Sequence, residues 1–298
     1  MPPMPTLRTD TTPRLAMQKD GRLTQETRDL LHACGLTFDT YRSRLLAPCQ
    51  NFPLAILTSR DDDIPNYVAT GVADLGVVGR NILSEHGASE RIVEVLPLGF
   101  GHCRLVIAVP QDSSVHTVAD LRGCRIATSY PRSVAAYFAE HDVPIEIVTI
   151  AGAVEIAPAL GVASAIADLT ATGSSLILHD LRTVATISDS EAVLIAAPEA
   201  MADDYRRAII DRLTLRLRST LAARRFKYIM MNAPRTALDT IRAIVPGLRE
   251  PTIVPLADPE WVAVHTVLEE VSFWEKIELL RAAGATEILV TPIEKLVV

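Results

Sequence analysis

The chain has 298 residues, enough for two or three domains, and 49% of them are hydrophobic while 22% are charged. Its net charge of −7 argues against a nucleic-acid-binding protein, which normally carries a basic surface. An acidic protein can still bind phosphate through a local cluster of arginine, lysine and backbone N–H groups, so phosphate-bearing small ligands stay open.

The first part of the chain alternates between strand and helix patterns. A short apolar run at residues 14–17 precedes a helical pattern that ends at Gly35, and another apolar run lies at residues 54–57. Aspartates at residues 61–63 open the next helix, where negative charge suits the helix dipole, and a buried strand follows at residues 74–78. This alternation predicts an α/β sheet, and the polar segment in front of it is expected to be disordered.

A second α/β set follows. Its predicted elements are a helix at residues 133–141 and strands at residues 105–109, 124–127, 145–150 and 165–167. Two extended runs within residues 184–197 are expected to return to the first lobe. Two lobes joined by such crossings leave a cleft, and clefts of this kind are common ligand sites.

A long amphipathic helix at residues 199–224 leads to a third unit, whose order of patterns, βαββαβ, is typical of a ferredoxin-like domain. The predicted fold class is therefore α/β, with two lobes like those of periplasmic binding proteins and a C-terminal ferredoxin-like (ACT-like) domain. We expect the first lobe to comprise residues 1–103 and 184–222, the second lobe residues 104–183, and the C-terminal domain residues 223–298.

The four cysteines, Cys34, Cys49, Cys103 and Cys124, are scattered and form no C-x-x-C pair. This spacing is unlike a disulfide framework and indicates a reducing compartment. The polar N-terminus lacks the apolar core of a signal peptide, and no run approaches the ~20 apolar residues of a membrane span. We therefore expect a cytoplasmic protein with no membrane or nucleic-acid partner.

The segment richest in chemistry is DLTATGSSL, residues 168–176. It follows a predicted strand and precedes a helical stretch, so its backbone N–H groups and its hydroxyls can converge on an anion. Gly173 permits close approach of the backbone, and Asp168 can accept hydrogen bonds from sugar hydroxyls. The segment lacks the Gly-Lys-Ser/Thr run of a P-loop. An ordinary strand-to-helix turn with capping threonine and serine is the alternative interpretation.

This segment resembles the phosphoribosyl pyrophosphate loop of ATP phosphoribosyltransferases, which reads roughly D-L-V-S-T-G-x-T-L. Further windows resemble the same family in the same order: AMQKDGRL (16–23), RDDDIP (60–65), DLGVVG (74–79), RIATSYP (125–131) and GAVEIAP (152–158). Two more windows resemble its long form with a C-terminal regulatory domain: KYIMM (227–231) and PIEK (292–295). The likeness runs from about residue 14 to the end of the chain.

Three places depart from the family pattern. Asp20 stands where serine is usual and adds negative charge beside a site for anionic substrates. Ser175 replaces the usual loop threonine but keeps the hydroxyl, and residues 177–179 replace a more polar stretch after the loop. These departures bear on substrate affinity more than on the class of reaction.

The resemblance implies a pentosyltransferase that condenses ATP, through adenine N1, with phosphoribosyl pyrophosphate in the first step of histidine biosynthesis. Mg²⁺ would neutralise the pyrophosphate, although the resemblance identifies no metal ligand in this chain. The implied catalytic residues are Asp168, Glu155 and Lys19. The implied substrate-binding residues are Arg22, Asp74, Arg80, Thr170, Thr172, Gly173, Ser174 and Ser175.

Plainer interpretations of several of these residues stay open. Arg22 and Arg80 could be ordinary surface residues, and Asp74 could be a turn residue. The aspartates at residues 61–63 are expected to be helix-start charges rather than ligands.

The C-terminal domain resembles a regulatory module that binds histidine, a feedback inhibitor, between subunits. Its candidate contacts are Asn232 and Thr252, although polar residues at strand ends are often only solvated. The resemblance implies a homo-oligomer, a dimer when active and a hexamer when inhibited, without a separate regulatory subunit. Inhibition would then bias a conformational equilibrium.

Two other functions fit parts of the sequence. A non-catalytic solute-binding protein has the same two lobes, and fold does not fix function. The missing signal peptide and the phosphate-type loop argue against that function. An amino-acid sensor that lost catalysis would keep the C-terminal domain, but the intact loop from Asp168 to Ser175 argues against it.

Overall fold

Three β-sheets organise the residues that the computed structural model describes, which are 11–39, 45–87 and 91–297. The chain divides into two compact units, Met1–Asp211 and Arg212–Val298. The second unit thus begins inside a long helix, upstream of residue 223, where the C-terminal domain was expected to start. Residues 1–10 of the N-terminal segment, expected to be disordered, lie outside the described part of the chain.

Sheet A belongs to the first unit and has the strand order β2-β3-β1-β4-β11-β5. Its strands are β1 (Arg14–Gln18), β2 (Leu46–Pro48), β3 (Ala55–Ser59), β4 (Leu75–Gly79), β5 (Val93–Pro97) and β11 (Ala192–Ala196). Strands β4 and β11 are buried along their whole length, as expected for continuous apolar runs in the middle of a sheet. Because β1 runs parallel to β3 and to β4, the carboxyl ends of these three strands meet at one edge.

Four helices accompany sheet A in the chain: α1 (Thr24–Ala33), α2 (Ile64–Ala69), α3 (Arg80–His86) and, after β11, α6 (Pro198–Ala202). The aspartates at 61–63 form a 3-10 turn that leads directly into α2, where Pro65 occupies the first turn. Helix α3 begins directly after β4, so its first residues lie at the same edge as the carboxyl ends of the parallel strands.

Sheet B has the order β10-β6-β9-β7-β8. Its strands are β6 (Cys103–Pro110), β7 (Arg125–Thr128), β8 (Glu146–Thr149), β9 (Ala165–Thr170) and β10 (Leu181–Ser190), and its helices are α4 (Pro131–Glu140) and α5 (Ser174–Leu178). Residues 184–190 therefore belong to sheet B, not to the first lobe as expected. The reason is a long antiparallel pairing of β10 with β6, which extends to Ser190 despite two register shifts. Only β11 returns to sheet A.

The chain crosses between the lobes twice in this unit. The first crossing joins β5 to β6 and contains Gly99 and Gly101, both with positive φ, +68° and +66°. The second crossing is the single residue Glu191, between β10 and β11. Two adjacent crossings of this kind allow the lobes to form a cleft.

Helix α7 (Asp204–Arg224) leads into the second unit, in which β12 (Phe226–Pro234), α8 (Leu238–Ile244), β13 (Thr252–Pro255), β14 (Trp261–Glu269), α9 (Phe273–Ala282) and β15 (Thr286–Pro292) follow. The sheet is antiparallel, in the order β13-β14-β12-β15. Alternate residues of β12 and β14 point inward and pack with residues of both helices. This βαββαβ arrangement, beside two α/β lobes, confirms the predicted fold class. No helix in the described residues is long and apolar enough to cross a membrane.

Candidate active site

The hydroxyl-rich loop joins β9 to α5. The N–H of Gly173 donates to Oγ1 of Thr170 at 2.8 Å, and the hydroxyls of Thr172 and Ser174 lie 2.9 Å apart. Gly173 has a φ of +81°, a left-handed conformation that glycine adopts without strain. The loop thus gathers exposed hydroxyls, including that of Ser175, at the start of a helix.

Two carboxylates stand beside this loop. Asp168 lies in β9 and is half-buried, and Glu155 lies in a 3-10 turn over Val154–Ile156. Burial raises the pKa of Asp168, and the negative charge of Glu155 raises that pKa further, although a hydrogen bond from the N–H of Leu169 opposes both. The two acidic groups are therefore close enough to interact electrostatically. A bound cation would offset their like charges, and the hydroxyls of a sugar diol would stabilise the carboxylates by donating hydrogen bonds.

His179 lies next to Glu155, the second of these carboxylates. Its Nε2 lies 3.9 Å from Oε1 of Glu155, and both side chains are partly exposed. The sequence alone does not identify His179 as a site residue, because nothing local connects it with a glutamate 24 positions earlier.

A cavity of about 300 Å³ lies between the two lobes of the first unit. Its lining combines the carboxyl-end edge of sheet A with residues of the second lobe: Gln18, Arg22, Leu23, Asp61, Gly79, Asn81, Ile82, Tyr130 and Leu169. The cavity therefore brings Arg22 of the predicted set next to Leu169, the neighbour of Asp168.

Tyr130 is the main cleft residue that the sequence interpretation did not select. Burial raises the pKa of its hydroxyl, and the carboxylate of Asp168 raises the pKa further, while the guanidinium of Arg22 lowers it. These influences place the phenol within electrostatic reach of both lobes. Its position at the start of α4, directly before Pro131, is the local signal that could have identified it.

Lys19 follows directly after β1, and its N–H donates to the carbonyl of Ser59. Its side chain lines a neighbouring cavity of about 620 Å³ together with Asp20, Arg60 and Asp63. The predicted cationic residues Lys19 and Arg22 thus face two adjacent cavities at one edge of sheet A.

Comparison with known proteins identifies the family of the chain. A family model described as ATP phosphoribosyltransferase matches residues 60–219, and one described as the HisG C-terminal domain matches residues 223–295. An ATP phosphoribosyltransferase from Cytophaga hutchinsonii is 44% identical over 284 residues, which cover 95% of this chain and 98% of the relative. The chain belongs to the ATP phosphoribosyltransferase family.

This membership confirms the family expected from the sequence windows, its long form and the enzyme class, a pentosyltransferase. One solved structure, a chain of the ATP phosphoribosyl transferase (HisG:HisZ) complex from Thermotoga maritima, aligns with a TM-score of 0.60 at 24% identity. The alignment covers 69% of this chain and 98% of that chain. The likeness at this identity concerns the fold.

Asp74 lies apart from the other residues that the family resemblance implied. It precedes β4 at the amino end, and its side chain is only 2% exposed. One carboxylate oxygen accepts the N–H of Arg14 at 2.7 Å, and the other lies 3.5 Å from the guanidinium of Arg206. The five residues of β4 span roughly 16 Å between Asp74 and the cleft. Asp74 therefore anchors β1 and α7, and the structure does not bring it together with the residues that line the cleft cavity.

Arg80 is also engaged elsewhere. Its guanidinium makes two hydrogen bonds to Glu94, at 2.7 and 3.2 Å, and lies 3.3 Å from Glu191 at the second crossing. These carboxylates raise the pKa of Arg80, with the hydrogen bond to Glu94 contributing most. Arg80 thus ties β5 to the crossing instead of facing the cavity.

The two candidate histidine contacts lie in the sheet of the second unit. Asn232 is in β12 and donates a hydrogen bond to Glu287, while Thr252 is in β13 and pairs with His265 of β14. His265 in turn lies 3.0 Å from the hydroxyl of Tyr228. Since β14 separates β13 from β12, the structure does not bring Asn232 and Thr252 into direct contact.

Proposed function

We propose that this chain condenses ATP with phosphoribosyl pyrophosphate, forming N1-(5-phosphoribosyl)-ATP and pyrophosphate. The observation that supports this reaction best is the pairing of Asp168 and Glu155 beside the hydroxyl loop, which offers donors for a phosphate and acceptors for a sugar diol in one place.

In this proposal the loop from Thr170 to Ser175 binds the 5-phosphate, and Asp168 binds the ribose hydroxyls. Attack by adenine N1 on the anomeric carbon places positive charge on the sugar ring and negative charge on the departing pyrophosphate. The carboxylates of Asp168 and Glu155 stabilise the first charge, while Arg22 and Lys19 stabilise the second. The chain supplies position and charge, and no side-chain nucleophile is needed.

Mg²⁺ fits the acidic pair, since carboxylate oxygens are the ligands that this cation prefers. Among residues 11–39, 45–87 and 91–297, no group of three or more histidine, cysteine or acidic side chains is arranged to hold a metal ion alone. We therefore infer that Asp168 and Glu155 would hold Mg²⁺ only together with the substrate, and the bound cation would offset the negative charge of the pyrophosphate.

The second unit is proposed to bind histidine as a feedback inhibitor, with Asn232 and Thr252 as contacts. The match to the C-terminal family domain supports this role. A homo-oligomer without a separate regulatory subunit, active as a dimer and inhibited as a hexamer, is part of the same proposal, as is a cytoplasmic location.

The test is an absorbance assay for phosphoribosyl-ATP with ATP, phosphoribosyl pyrophosphate, Mg²⁺ and pyrophosphatase, with and without histidine. We expect product formation that histidine suppresses, and a loss of at least 100-fold in kcat for Asp168→Asn, the size expected for one electrostatic contact at a transition state. Asp189→Asn, an exposed aspartate of β10, is the matched control and should stay within twofold of the parent. A folded protein that binds the substrates without turnover would instead support a solute-binding or sensor function.

A further inference from the structure

One glutamate joins the two lobes of the first unit through backbone hydrogen bonds. Glu85 lies in the last turn of α3, the helix that follows β4 of sheet A. Its Oε1 accepts the N–H of Arg132 at 2.8 Å, and its Oε2 accepts the N–H and the hydroxyl of Ser133 at 2.9 and 2.8 Å. Arg132 and Ser133 belong to the first turn of α4, in the other lobe.

This contact satisfies a need that α4 cannot meet itself. The first N–H groups of a helix have no partner within that helix, and the N-cap residue, Tyr130, makes no side-chain capping bond. The carboxylate of Glu85 supplies the missing acceptors and complements the positive end of the α4 dipole. The opposite lobe thus caps this helix.

A second contact strengthens the same junction. Helix α3 ends at Gly87, with a φ of +67°, and the guanidinium of Arg132 lies directly over that glycine, in the space that a side chain would occupy. A cation at the carboxyl end of α3 suits the dipole of that helix. Each of the two helix ends therefore receives a charge of the favourable sign from the other lobe.

The other end of α3 is fixed at the second crossing. The N–H of Arg80 donates to the carbonyl of Glu191 at 2.9 Å, and the N–H of Asn81 donates to Oγ of Ser190 at 2.9 Å. The hydroxyl of Ser190 in turn donates a hydrogen bond to Oδ1 of Asn81 at 2.9 Å. Helix α3, which is roughly 10 Å long, thus connects the second crossing with the first turn of α4.

We propose that Glu85 is a positioning residue that holds the two lobes at the cleft angle of this structure before any substrate binds. Because Tyr130 stands at the start of α4, the contact also fixes this cleft residue opposite Arg22. The expected effect of Glu85 on substrate affinity rests on the proposed function, whereas its effect on the cleft angle does not.

Removing the carboxylate should let the free lobes separate. If only about one molecule in ten then has the competent cleft angle, the apparent affinity for substrates falls about tenfold, because it scales with the competent fraction. Saturating substrate draws the lobes together again. Glu85→Ala should therefore raise the KM for phosphoribosyl pyrophosphate about tenfold and leave kcat within twofold, and Glu85→Gln, which keeps one acceptor, should lie between.

The cleft angle is measured on the full chain without ligand. Spin labels at Glu26→Cys in α1 and Glu146→Cys in β8, both exposed, report the distance between lobes by pulsed electron resonance. The half-buried Cys49 and Cys124 are replaced by serine, and excess unlabelled protein suppresses distances between subunits. The matched control is a carboxylate at the other end of α4, changed in Glu140→Ala, which should behave as the parent.

A wider and longer distance distribution in Glu85→Ala, with the KM effect and an unchanged kcat, supports the proposal. Distances identical to those of the parent overturn it, and so does a fall in kcat at unchanged KM. If Glu85→Ala does not fold, Glu85→Gln decides by the same criteria. A parent protein without turnover would refute the proposed function, and the label distances alone would then decide the role of Glu85.

Discussion

Replacing Asp74 by alanine should destabilise the first unit without impairing turnover. The carboxylate is buried, accepts the N–H of Arg14 at 2.7 Å and lies 3.5 Å from the guanidinium of Arg206. A charge-assisted hydrogen bond contributes about 1.5–3 kcal/mol, and removing one partner of a buried ion pair costs about 3–5 kcal/mol. Because the side chain of Arg206 keeps 28% exposure and can regain water, we expect a loss near the lower end, about 3 kcal/mol.

For a unit of this size, that loss corresponds to a Tm lower by roughly 6–12 °C. Scanning calorimetry or thermal unfolding followed by circular dichroism measures it, with Asp189→Ala as the exposed control. Asp74→Asn keeps an acceptor for Arg14 and should lose about half as much. The kcat and KM of Asp74→Ala at 20 °C should stay within twofold of the parent. A Tm within 2 °C of the parent, or a tenfold loss of kcat/KM at unchanged Tm, would refute the anchor role.

Two further changes probe the loop itself. Gly173→Ala forces a left-handed conformation on alanine at a cost of about 1–2 kcal/mol. A Cβ at this position meets no atom within 4 Å, so the cost is conformational and not steric. The loop should relax to avoid this conformation, which should raise the KM for phosphoribosyl pyrophosphate. Unchanged kinetics would contradict this. Asp168→Asn should raise Tm at pH 7–8 by a few degrees, since the folded protein disfavours the charged acid. The gain should shrink as pH falls below the raised pKa and vanish below about pH 3.9, where both states are protonated. A gain that is independent of pH would contradict the argument.

Local features of the sequence predicted much of this molecule. The strand before Asp168, the turn at Gly173 and the start of α2 depend on neighbouring residues, and each was predicted from its own window. The order of elements in the second unit followed from periodicity in the same way. Strands and turns of this kind are determined within a few residues, which explains why the fold class was predicted correctly.

The wrong lobe assignment, and the contacts that the sequence did not predict, concern pairings between distant residues. Residues 184–190 were assigned to the wrong lobe because their pattern fits either sheet, and only the register with β6 decides. Asp74 lies in a window shared with the family and Arg80 directly follows that window. The fold pairs Asp74 with Arg206, and it pairs Arg80 with Glu191 as well as with the nearer Glu94. Both Arg206 and Glu191 are more than 100 residues away in sequence. A sequence window shows that a charge is present, whereas its role depends on which opposite charge the fold places beside it.

The position of β11 in sheet A has a consequence for how the chain folds as it is synthesised. This strand lies between β4 and β5, yet it is made only after all of sheet B. Sheet B is continuous in sequence from Cys103 to Ser190 and can form by itself, whereas sheet A has a gap between β4 and its edge strand β5 until residue 196 has left the ribosome. The lobe that begins second is therefore expected to fold first, while the edges of β4 and β5 that pair with β11 have no strand partner there until β11 has been made.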